Sequence, residues 1–159
     1  MKFSTRKDIA APAEYVFDKL ADFSSFERLA LRRGITLRRL DTLPVPAAGM
    51  SWEITFRFRG RERQLISDII RYDRPEALIY AGKSSSFEAQ LELMITELSK
   101  TRTRLNVGFE IKPRTLGARL MVQSAKLGKG NLDRRFDERV GQFAQDLERQ
   151  AEKAGAQKS

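Results

Sequence analysis

Residues Ser51–Arg59 place Trp52, Ile54, Phe56 and Phe58 at alternate positions, with Glu53, Thr55, Arg57 and Arg59 between them. An extended strand, whose successive side chains point to opposite faces, separates these two sets; a helix would mix them. One face buried and one face wet is the pattern of an antiparallel sheet. The chain must therefore supply a layer to cover that apolar face. The same period recurs in Phe87–Leu98, with Phe87, Ala89, Leu91, Leu93 and Ile95 inward, and in Arg102–Lys112, with Leu105, Val107, Phe109 and Ile111 inward. Lys2–Ile9 sets Phe3, Thr5, Lys7 and Ile9 on one side. Further strands are predicted over Ile35–Leu43, ended by Pro44 and Pro46, over Glu62–Tyr72 after Gly60, and over Leu78–Lys83 after the turn Arg74-Pro75-Glu76. Connections of about 2–6 residues predict that successive strands pair as neighbours.

Two interruptions are helical. Pro12 suits a helix start, Glu14 suits the positive end of its dipole, and Tyr15, Val16, Leu20 and Phe23 follow at helical spacing. Ser24-Ser25-Phe26-Glu27 has capping-box spacing and predicts a second short helix ended by Gly34. After Pro113 the period changes for good: Leu116, Leu120, Leu127, Phe136, Val140, Phe143 and Leu147 form a helical stripe to about Lys153. Gly128-Lys129-Gly130 interrupts it. Two glycines cost about 2 kcal/mol in a helix interior, so a kink or short break is predicted there. The order is a strand, two short helices, about six more strands and a long C-terminal helix. That is an α+β fold in one domain, 1–153, with the small polar residues 154–159 as a disordered tail.

The 159-residue chain has no cysteine and no histidine. Disulfides, thiolate catalysis, iron–sulfur clusters, histidine-based triads and Cys or His metal sites are excluded. Glu88/Glu92 and Asp137/Glu138 match no calcium-loop spacing, so neither a metal nor another cofactor is expected. No apolar run approaches the ~20 residues of a membrane span, and no apolar stretch follows the basic N-terminus as in a signal peptide. The expectation is a soluble, cytoplasmic protein. The net charge of +9 is spread along the chain, with clusters at Arg28/Arg32/Arg33/Arg38/Arg39 and Arg57/Arg59/Arg61/Arg63. The second cluster straddles a predicted hairpin tip and can meet anionic lipid weakly. No aromatic residue alternates with it on the wet face, so the stacking platform of a nucleic-acid binder is missing and no specific nucleic-acid partner is expected.

The order of elements resembles the helix-grip fold of the START-like (SRPBCC) superfamily, which includes pollen Bet v 1-like, polyketide cyclase/dehydrase-like and coenzyme Q-binding proteins. The carrying residues are Ile9-Ala10-Ala11-Pro12-Ala13-Glu14-Tyr15-Val16-Phe17-Asp18, then Leu20-Ala21-Asp22-Phe23, Tyr72-Asp73-Arg74-Pro75-Glu76 and the closing amphipathic helix. The resemblance covers nearly the whole chain and implies a fold shared by binders, carriers and enzymes, with no catalytic residue carried over.

One helix about 10 Å wide leaves part of a curved sheet uncovered, and such gaps hold ligands unless bulky side chains fill them. The expected partner is a small hydrophobic ligand, a lipid, quinone or polyketide-like molecule. Its predicted walls are Trp52, Ile54, Phe56, Phe58 and Tyr80, with Leu91, Leu93, Phe109, Leu116 and Leu120 completing them. A second reading is a cyclase/dehydratase-like enzyme in which Asp68 with Tyr72 or Tyr80 supplies acid–base groups. It requires Asp68 to share a face with Ile66 and Ile70, whereas Leu65 and Ile69 claim the interior equally. A third reading is an interaction or chaperone-regulatory module acting through the basic surface. The oligomeric state is left open.

Overall fold

The computed structural model describes residues 1–158. β1 (Lys2–Ile9) leads into α1 (Ala13–Leu20) and α2 (Phe23–Arg32). A meander follows: β2 (Thr36–Arg39), β3 (Ser51–Phe58), β4 (Arg61–Asp73), β5 (Ala77–Lys83), β6 (Phe87–Ser99) and β7 (Arg102–Pro113). The chain closes with α3 (Leu116–Lys126) and α4 (Lys129–Lys158). All seven strands form one antiparallel sheet in the order β1-β7-β6-β5-β4-β3-β2, so the first strand closes against the last. The architecture is the α+β helix grip that the alternation and its change of period predict.

Several boundaries move for local reasons. The cap of α2 is Asp22, not Ser24: its carboxylate accepts the Ser25 N–H at 3.3 Å and the Ser25 hydroxyl at 2.6 Å. β2 stops at Arg39, short of the predicted Leu43, because Asp41 turns the chain: it takes the Arg39 guanidinium and the N–H groups of Leu43 and Ser51. The glycine break resolves into two helices, with α3 ending in a tightened turn through Leu127 and Gly128. The residues 154–159 expected as a tail overlap α4, which extends to Lys158; Ser159 lies outside the described residues.

The core lies on the inner face of the sheet under α1 and α4, around Ile9, Val16, Phe17, Leu78, Leu105 and Leu147. Burying each such side chain stabilises the fold by roughly 1.5–3 kcal/mol. α4 runs down β1: Phe136 packs on Phe3 with centroids 5.7 Å apart, Lys7 pairs with Asp137 at 2.9 Å, and Glu148 accepts the Ala10 N–H at 2.8 Å. α3 stays at one end of the sheet. Its start is tied to the β5–β6 turn by the Arg114 N–H to the Ser86 carbonyl, and its exit brings Lys129 over the Phe3 ring. Among the described residues no helix is long and apolar enough to cross a membrane.

Candidate functional site

Strand register fixes which side chains share the inner face, because directly paired residues project to the same side. Three cross-strand rows matter. The deepest joins Tyr72, Leu78, Leu93 and Val107, and its Leu78 and Leu93 are buried beneath α1 and α4. The next joins Ile69, Tyr80, Leu91, Phe109 and Phe3, and only Ile69 in it is fully buried. The third runs Trp52, Ser67, Gly82, Ala89 and Ile111. Its middle three members carry almost no side chain and remain partly exposed. Ile54 and Leu65 pair one step further out, both half-buried. The inner face is thus packed solid at the α1 end and toward the α3 end carries smaller, partly exposed side chains, a shallow apolar strip that forms the groove.

α2 forms one wall. Trp52 is buried with its ring 5.3 Å from that of Phe23, and its indole N–H donates to Oε1 of Glu27 at 3.1 Å. Tyr80 lies 6.4 Å away between centroids, and the Arg39 guanidinium lies over the indole at 5.5 Å. A hollow of about 400 Å³ lies between the α2–β2 turn and β3, lined by Arg33, Ile35, Ile54, Phe56 and Arg57. A second, about 310 Å³, lies mainly on the outer face at the ends of β4 and β5, where Glu53, Gln64, Ile66 and Lys83 meet Leu65, Ser84 and Arg114.

Tyr80 provides the hydroxyl of this groove. Burial raises its pKa well above the usual tyrosine value, and the nearby Tyr72 adds to the shift. The group stays protonated at neutral pH, so its hydroxyl can donate a hydrogen bond. Tyr72 is raised as well, by burial and by the Asp18 carboxylate, and packs edge-on against Phe17 at 5.2 Å.

The structure sets Trp52, Ile54, Phe56, Tyr80, Leu91 and Phe109 on one face of the sheet, while Leu93, on the same face, belongs to the solid core. Three of the expected wall residues lie elsewhere. Phe58 is 46% exposed at the tip of the β3–β4 hairpin, which overhangs the sheet: β2 pairs only as far as Thr55, and β5 starts pairing at Ile66. Leu116 and Leu120 are 73% and 58% exposed, because α3 buries Ala118 and Val122. Positions two apart on a helix are about 200° apart, so these leucines face away from that contact.

Asp68 is likewise not in the groove. It pairs with Ser51 and Ala81 on the outer face, where its Oδ1 accepts the Ser51 hydroxyl at 2.5 Å. The register shift between Ile69 and Arg71 explains why both readings of β4 looked equal. The extra residue, Ile70, lets Ile69 and Tyr72 both face inward although they are three apart. Asp68 therefore cannot form an acid–base pair with Tyr72 or Tyr80. Leu65, Ser67, Gly82 and Ala89 are the groove residues that sequence reasoning missed. The Leu65-Ser67-Ile69 alternation was the available signal, and Gly82 inside a strand was another.

Solved structures share this architecture. An aromatase/cyclase, Zhui, from Streptomyces sp. R1128 superposes with a TM-score of 0.64 at 15% identity, with 94% of each chain covered. A protein of Thermus thermophilus gives 0.58 at 14% identity, covering 97% of this chain and 99% of that one. A START superfamily protein from Mycobacterium smegmatis gives 0.54 at 15% identity, covering 84% and 95%. The fold is START-like. No family model and no curated protein matches the sequence. At such identities the START-like likeness concerns the path of the backbone, and this chain's chemistry has to be argued from its own groove.

Proposed function

We propose that the chain binds a small, largely apolar molecule with a flat portion, of the lipid, quinone or polyketide-like class, in the groove on the inner face of the sheet. The observation that carries this reading is the Ser67–Gly82–Ala89 row. Three adjacent strands contribute minimal side chains where bulky ones would have closed the core. Trp52, Ile54, Leu91 and Phe109 surround that floor and offer apolar contact area. The Tyr80 hydroxyl supplies the directional contact, a donor suited to a carbonyl or hydroxyl oxygen. Burial of apolar area drives binding, and the few polar groups set orientation.

The test is native mass spectrometry of freshly purified protein, followed by organic extraction. The expected result is a retained apolar adduct that is lost in Ala89→Phe, which fills the floor and leaves Trp52 and Tyr80 themselves unchanged. A clean apo mass, with no uptake of added quinone or fatty acid, would overturn the reading.

A further inference from the structure

The arginines of the overhanging hairpin differ from most others on the sheet. At the α1 end Arg39 pairs with Asp41 at 2.5 Å, Arg71 with Asp73 at 2.5 Å, Arg74 with Asp18 at 2.8 Å and Arg104 with Asp8 at 2.8 Å, while Arg102 makes no ion pair among the described residues; at the α3 end Arg114 reaches Glu88 at 3.9 Å. At the α3 end the overhanging hairpin carries Arg57, Arg59, Arg61 and Arg63, which make no ion pair among the described residues. Arg57 and Arg63 instead donate to backbone carbonyls of the hairpin, those of Gly60 and Phe58. Arg32 and Arg33 at the end of α2 extend the same surface, since Arg33 and Arg57 line one hollow.

Apolar side chains stand among these charges. Phe58 projects at the hairpin tip, with the guanidinium groups of Arg59 and Arg63 over its ring at 5.4 and 5.5 Å. Leu31 is 69% exposed at the end of α2, and Leu127, beside the α3–α4 junction, is 93% exposed. Leu116 and Leu120 are exposed on α3, which stays at this end of the sheet. The tip itself is held in a left-handed conformation at both Arg59 (φ 53°) and Gly60 (φ 74°). Asparagine or glycine fits the first of these positions better, yet an arginine occupies it.

We propose that this end of the molecule, formed by the β3–β4 hairpin, the α2–β2 turn and α3, docks on an anionic bilayer surface. The leucines and Phe58 enter the interface while the free arginines meet lipid phosphates. Apolar insertion and basic attraction together make the two-signal arrangement that stable surface binding requires. The exposed apolar groups favour a bilayer over a nucleic acid, because leucine offers a base nothing to stack on. The groove opens toward the same end, but the docking does not depend on its being occupied.

The test uses the full chain and two sets of vesicles: pure phosphatidylcholine, and phosphatidylcholine with about 30 mol% phosphatidylserine. Co-sedimentation is expected with the anionic vesicles alone, and should weaken as salt rises from about 50 to about 300 mM. Arg59→Glu/Arg61→Glu should reduce binding by ~10-fold or more, at an expected contribution near one tenfold step per pair of charges. Leu116→Ser/Leu127→Ser should reduce it by several-fold with charge unchanged. These positions are exposed, so the melting temperature reports that each variant is folded. A second readout exploits the absence of cysteine. Leu127→Cys carrying an environment-sensitive dye should shift to the blue on anionic vesicles. Failure of the wild-type chain to co-sediment at low salt would overturn the proposal. So would full binding by the leucine variant together with an unshifted dye; equal affinity for single-stranded RNA would then identify a purely electrostatic surface.

Discussion

Trp52 donates its indole N–H to Glu27 across 3.1 Å, joining the first buried residue of β3 to the middle of α2. This bond holds the wall of the groove, since α2 buries no side chain fully and otherwise rests on β2 and the Phe23 contact. Glu27→Ala leaves a buried donor without an acceptor, and should cost about 1–3 kcal/mol in urea denaturation. Glu27→Gln keeps an acceptor and should recover most of that. Equal losses in both would assign the effect to packing or charge instead of the hydrogen bond.

Gly82 tests the open floor. It does not use the left-handed region, and a Cβ there would meet Leu65 Cδ1 at 3.6 Å, an ordinary contact. Gly82→Val should therefore leave stability within about 1 kcal/mol of wild type or raise it, as β-branched residues suit strands. Binding of an apolar fluorescent probe should drop ~10-fold, because the new side chain occupies groove volume. Unchanged probe binding would place the site elsewhere.

Asp41 gives the acid limb of stability a specific origin. The Arg39 guanidinium, then the N–H groups of Ser51 and Leu43, hold its pKa far below the usual aspartate value. A folded value below the unfolded one contributes stability that is present above about pH 3.9 and lost as pH falls through lower values. Asp41→Asn should lower the denaturation midpoint at pH 7 and flatten the decline between about pH 5 and pH 2. A variant curve parallel to wild type would remove Asp41 from the account.

Tyr80 makes the opposite prediction at high pH. Its folded pKa lies above the unfolded value of about 10. The stability linked to it is fully present below about pH 10 and declines as pH rises beyond. Spectrophotometric titration should show tyrosinate absorbance still rising well above pH 10, and Tyr80→Phe should delete the latest component. Loss of an early component would mean that Tyr80 is open to solvent.

Local pattern along the chain was enough to specify the strands, their inner and outer faces wherever alternation was clean, and the switch to helix after Pro113. Period two in Ser51–Phe58 and Arg102–Pro113, and period 3.6 from Leu116 onward, follow from backbone geometry alone. Trp52, Ile54, Phe56 and Phe109 were legible as inner-face residues for that reason. The remainder depends on which residues lie opposite one another, and that emerges only when the chain packs. The bulge at Ile70 reverses the parity of β4 partway along, so Asp68 turns outward and Ser67 inward, and no reading of β4 alone reveals it. The row Ser67–Gly82–Ala89 becomes a groove floor only when three strands pair in register. Phe58 leaves the interior because β2 and β5 are too short to flank the hairpin, and Leu116 and Leu120 because α3 spends its small residues on the sheet contact. Periodicity assigns a side chain to a face; pairing, bulges and strand length decide what that face meets.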